Sequence, residues 1–101
     1  MSTASPSGAT PGPADAVRAA VLGVPGVNAM HGGVFADVAT YLPGRRVTGV
    51  RLEPERTEVH VVVTPDNPIP GVADAVRAAV QHIRPEPVDV YVEDIAIPDP
   101  Q

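Results

Sequence analysis

The residues able to do chemistry in this 101-residue chain are few and scattered. Histidine occurs at His31, His60 and His82. No two stand at the i, i+4 spacing that puts two metal ligands on one helix face, and there is no HExxH. Cysteine is absent, which rules out a thiolate metal site and an internal disulfide. The serines, Ser2, Ser5 and Ser7, fall in a Pro/Gly/Ser-rich start with no histidine near in sequence to activate them. Glu93 and Asp94 are adjacent and diverge on a strand, whereas general acid–base work needs two groups facing one cleft. His31-Gly32-Gly33 runs into strand-like sequence, but a dinucleotide loop must open a helix, and a Walker loop needs lysine, which the chain lacks. These residue types predict no catalytic group, no metal and no cofactor, and so a protein that is not an enzyme.

Arginine is the remaining lead, supplying all seven basic residues. Arg45, Arg46, Arg51 and Arg56 fall in or beside a region of turns and strands. Arg51 is expected to face away from Val50 and Leu52, toward the same side as His60 and Tyr91. Guanidinium beside imidazole and phenol suits protein contacts, anionic lipid headgroups, or RNA bases and phosphates. Arg45, Arg46, Arg51, His60 and Tyr91 are therefore the expected interaction surface. The plainer reading is a solvated face, its positive field diluted by Glu53, Glu55, Glu58 and Glu93. Twelve acidic against seven basic residues leave a formal charge of −5, which weighs against general binding to a phosphate backbone.

Two helices and a set of strands must position these groups. The octapeptide ADAVRAAV occurs twice, at Ala14–Val21 and Ala73–Val80, either as a duplication or by coincidence in an Ala/Val/Arg-rich chain. Each copy places Val at i and i+4 with Ala on the same flank, which predicts a helix with one apolar stripe. Asp15 and Asp74 are expected near the amino ends, where acids suit the helix dipole. Gly23 and Pro25 end the first helix, and Pro85 bounds the second. Between them, Val34–Tyr41 alternates as a strand, Leu42–Arg45 turns, and Val47–Glu53 forms the next strand. Thr57–Thr64 has the clearest period of two, with Val59, Val61 and Val63 opposite Glu58, His60 and Val62. Val88, Val90 and Val92 alternate likewise after the second helix, and Val27–Met30 has the length for a short extra strand.

The expected fold is α+β: a two-layer sandwich in the order α-β-β-β-α-β. Its sheet is mostly antiparallel, both helices cover one face, and the other face is wetter. The last strand joins as an edge or an inserted neighbour. Residues 13–98 form this one domain, between a flexible Pro/Ser/Gly-rich tail at 1–12 and a short tail at 99–101. Apolar residues make up 44% of the chain but only three are aromatic, so the core must be aliphatic and small. Burial of a sheet face or edge against a partner follows naturally from so small a core. The first residues lack a basic region and a continuous apolar run and are not expected to act as a secretory signal, and no apolar run in the sequence is long enough to span a membrane.

Several segments, in order, carry a family likeness: Val24-Pro25-Gly26-Val27, Met30-His31-Gly32-Gly33, Val50 to Val63 ending in VHVVV, Ile69-Pro70 to Val80, and Val88 to Ile95. With Ala39 to Arg51 (ATYLPGRRVTGVR), the chain resembles a short actinobacterial branch of the alkaline-shock, or envelope stress response, family. The resemblance implies a non-enzymatic protein that self-associates in the cytoplasm, peripheral to the inner face of the cell membrane, in some members through a membrane-anchored partner. It brings no catalytic residues. The Pro-rich start replaces the strand and longer first helix that precede VPGV in longer members. The expectation is thus a structural or protein-interaction module linked to envelope homeostasis, its partner a second copy or another protein. The alternative is a small RNA-binding domain.

Overall fold

The computed structural model describes residues 12–97. The tails expected at 1–12 and 99–101 lie, Gly12 apart, outside the described residues. Helix α1 spans Pro13–Leu22. Proline suits its first turn, where no amide partner is required, and the Asp15 carboxylate accepts the Gly12 amide at 2.9 Å. Ala14, Val17 and Val21 form its buried stripe. Helix α2, Ile69–Gln81, again has proline in its first turn and buries Val72, Val76 and Val80. It begins four residues before its copy of the octapeptide, so its first turn holds no acid. The placement expected for Asp74 is corrected accordingly: it lies inside the helix, beyond reach of the terminal dipole.

Among the described residues six strands follow the periodicity, with two departures. They are β1 Val27–Met30, β2 Ala39–Leu42, β3 Arg45–Thr48, β4 Val50–Glu53, β5 Arg56–Val63 and β6 Val88–Ile95. Strand β5 is central. Strand β6 runs parallel to it on one side. On the other side β4 pairs antiparallel with Arg56–Val59 and β1 with Val61–Val63, so the two short strands lie end to end along one long one. Strands β2 and β3 form a separate antiparallel hairpin.

The first departure is Val47–Glu53, expected as one strand but broken at Gly49. Gly49 has φ +83, and a Cβ there would sit 2.9 Å from the His31 carbonyl and 3.0 Å from that of His60. Only glycine tolerates both the angle and the approach. The bend sends β3 out to pair with β2 while β4 stays in the main sheet. The second departure is Val34–Ala36, expected as strand. The segment is a turn with Gly33 at φ +84 and Ala36 at φ +57, closed by Ala36 N–H donating to the Gly33 carbonyl at 3.0 Å. Alternation alone cannot hold a strand that has no neighbour to pair with. Val38 turns inward, and Val34 and Phe35 are left exposed.

The result is the expected α+β domain, with a mostly antiparallel sheet and two helices packed against it. Apart from Ala14, every buried residue of the core cluster is valine. Val17, Val21, Val76 and Val80 from the helices meet Val50, Val59, Val61 and Val63 from the sheet. Valine has few rotamers to lose on burial, and each fully buried copy contributes about 1.5 kcal/mol or more.

Candidate functional site

The opposite face of β5 carries the first cluster. His60 lies between Glu58 on its own strand and Tyr91, its register partner on β6. The two rings stack with centroids 4.5 Å apart and planes 18° from parallel. His60 Nε2 meets Glu58 Oε2 at 2.6 Å, and Nδ1 meets Glu93 Oε2 at 2.5 Å. Glu93 reaches the ring because β6 bulges there: Val61 pairs with Val92 but Val62 with Asp94, leaving Glu93 as the extra residue. A bulge re-aims a side chain in this way. Arg51 Nη1 stands 3.5 Å from Glu58 Oε1, and its Nη2 3.5 Å from the Asp37 carbonyl.

The face is drier at this point than expected, and His60 is only 6% exposed. Stacked Tyr91 covers one side. The 31–38 loop comes in at the other, where a Cβ on Gly33 would lie 3.8 Å from His60 Nδ1. The carboxylates flank opposite edges of the ring, so the three groups do not converge on a common point. Among the described residues no cluster of His, Asp or Glu is arranged to hold a metal ion. A doubly protonated ring donates to both carboxylates and a neutral ring to one. In both cases each ring nitrogen faces a carboxylate oxygen. The arrangement pins β6 to β5 and fixes Tyr91 on the surface.

Arg45 and Arg46 lie elsewhere. Arg45 crosses to α1 and grips Asp15 with both guanidinium nitrogens, Nη1 to Oδ1 at 2.6 Å and Nη2 to Oδ2 at 2.9 Å. This fork, the Gly12 amide and the nearby Arg18 charge hold the Asp15 carboxyl down at about 2, from an ordinary 3.8. The same hydrogen bond raises the Arg45 guanidinium above its ordinary value. Arg46, with Arg18, lines an open cleft of about 600 Å³ bounded by α1, β1 and β3. The five surface residues expected from sequence therefore divide into two groups. Arg51, His60 and Tyr91 share one patch, while Arg45 and Arg46 line the cleft beside α1. Sequence reading placed Glu93 among the acids of this face but not its contact with His60, and it missed Arg18, which nothing in its helix singles out. Glu58 was legible from the period of two that places it beside His60.

A third feature is the free edge of β6, which pairs with β5 and with no other strand among the described residues. Among the described residues its outward groups are engaged only near the two ends. The Val88 carbonyl accepts Arg77 Nε at 3.3 Å, and the Ile95 amide donates to its neighbour Asp94 Oδ1 at 2.8 Å. Beside this edge Ile69, Ile95 and Ile97 line a shallow groove with Val92. Ile97 is 79% exposed and Tyr91 45%.

No family model matches the chain, and neither does a curated protein or a solved structure.

Proposed function

We propose that this chain is a non-enzymatic protein-interaction module that self-associates through the free edge of β6. The observation that carries the reading is an eight-residue edge strand, open along its middle, with exposed isoleucines beside it. Such an edge is a template for another strand. Antiparallel pairing with β6 of a second copy would continue the sheet across the pair and cover Ile95 and Ile97. It would also set Asp89 opposite Glu93. That repulsion is reduced because Arg56 already pairs with Asp89 at 3.0 Å and His60 with Glu93. The likeness to alkaline-shock proteins supports the same reading and links such an assembly to the cell envelope, at the inner face of the membrane, through a membrane-anchored partner. Among the described residues no helix is long and apolar enough to cross a membrane.

Light scattering over a concentration series is the test. The expected molar mass rises from 10.4 kDa toward twice that value. Ile95→Lys with Ile97→Lys is expected to hold the chain monomeric, since charge on an edge blocks pairing. A wild-type chain that stays monomeric at high micromolar concentration overturns self-association.

RNA binding has less support. Tyr91 is the only exposed aromatic among the described residues of the main sheet, and Glu58, Asp89 and Glu93 surround it with negative charge. Saturable binding of single-stranded RNA at about 50 mM salt would reinstate it.

A further inference from the structure

Seven arginines are the whole positive charge of this acidic chain, and five are tied to acids. Arg45 pairs with Asp15, Arg51 with Glu58, Arg56 with Asp89, Arg77 with Asp74 and Arg84 with Glu86, at 2.6–3.6 Å. Arg18 and Arg46 have no such partner among the described residues, and both line the same cleft. Arg18 comes from α1 and Arg46 from β3, so the tertiary fold brings them together. The second copy of the octapeptide shows what the equivalent arginine does in other surroundings: Arg77 takes the aspartate three residues before it. In α1 that aspartate is held from both oxygens by Arg45, and Arg18 is released.

The residues lining the cleft therefore include one acid against three arginines. Its walls add backbone and apolar groups. Consecutive residues of β1, 28–30, and of β3, 45–48, line it, as edge-on strands do, and neither strand has a second ladder partner among the described residues. Leu22, Met30 and Val47 supply apolar surface. The volume is within the ordinary range for small-molecule sites.

We propose that this cleft binds a small organic phosphate, a monoester whose dianionic head lies between Arg18 and Arg46 and whose apolar body rests on Leu22 and Met30. Two planar guanidiniums match phosphate oxygens in charge and geometry, and the Asp15–Arg45 pair ties β3 to α1 across the cleft. The site is at the opposite edge of the sheet from β6 and stands independently of self-association.

Titration of the full chain with phenyl phosphate at low ionic strength, followed by amide chemical shifts, tests the assignment. Saturable shifts confined to α1, β1 and β3 are expected, with inorganic phosphate binding more weakly. Arg18→Gln and Arg46→Gln are each expected to weaken phenyl phosphate about tenfold, whereas Arg56→Gln, on another surface, changes it by less than about twofold. Both target side chains are exposed, and an unchanged thermal midpoint would show that the variants fold. Shifts spread over every arginine-bearing surface, binding indifferent to both cleft substitutions, or inorganic phosphate binding as tightly as phenyl phosphate would overturn the proposal.

Discussion

The two copies of ADAVRAAV bury the same valines and use the same charged residues differently. In α1 and in α2 the paired valines, Val17 with Val21 and Val76 with Val80, are fully buried. Asp15 is the third residue of α1, where it accepts the Gly12 amide and Arg45. Asp74 is the sixth residue of α2 and makes only a solvent-exposed pair with Arg77. Arg77 also donates to the Val88 carbonyl on β6, while Arg18 borders an open cleft. The apolar half of the repeat needs only a core to face. The polar half depends on which strands happen to run past each helix.

The apolar equivalence can be broken most directly. Val17→Ala and Val76→Ala each remove two buried carbons and leave a small cavity, costing about 2–3 kcal/mol in urea unfolding. A difference above about 1 kcal/mol between the two would show that the stripes are not equivalent.

The contrast between the aspartates is sharpened by acid. Asp15 has a folded-state value near 2 against 3.8 ordinarily. Its contribution is therefore complete above 3.8 and is lost as the pH falls from there through 2. Asp15→Asn is expected to lower the thermal midpoint at neutral pH and to flatten that part of the acid dependence. Asp74→Asn should cost no more than a few tenths of a kcal/mol in urea unfolding at neutral pH, about the worth of one exposed pair. An acid dependence left unchanged by Asp15→Asn would contradict the grip on Asp15.

The smallest effect separates the arginines. Arg77→Ala loses the Asp74 pair and the bond to β6, at about 0.5–1 kcal/mol. Arg18→Ala should stay within about 0.5 kcal/mol of the wild type, because its side chain anchors nothing in the fold. A larger cost at Arg18 would mean that it holds α1 to the hairpin.

Much of the fold was legible along the chain. Val59, Val61 and Val63 against Glu58, His60 and Val62 marked β5 and its two faces, and the valine spacing marked both helices. Less was legible where two signals conflicted. Val34–Ala36 alternates like a strand, yet the turn after Gly32-Gly33 leaves it unpaired. Val47–Glu53 is uninterrupted except at Gly49, where the positive φ becomes necessary only because His31 and His60 carbonyls crowd that position. The candidate surface was half legible for the same reason. Arg51, His60 and Tyr91 follow from the period of two, but Arg45 and Arg46 leave that face once the strand bends.

The sequence by itself determined two valine-striped helices, a central strand with one apolar face, and the absence of thiol chemistry. Periodicity is local, and a hydrophobic stripe has no need to know its partner. Only the tertiary structure decided the parallel docking of β6, the bulge that turns Glu93 onto His60, and the release of Arg18 while its counterpart Arg77 stays paired. Those outcomes depend on hydrogen bonds and ion pairs a few ångströms long between residues distant in sequence. Which partners come within that range is settled only when the chain has folded.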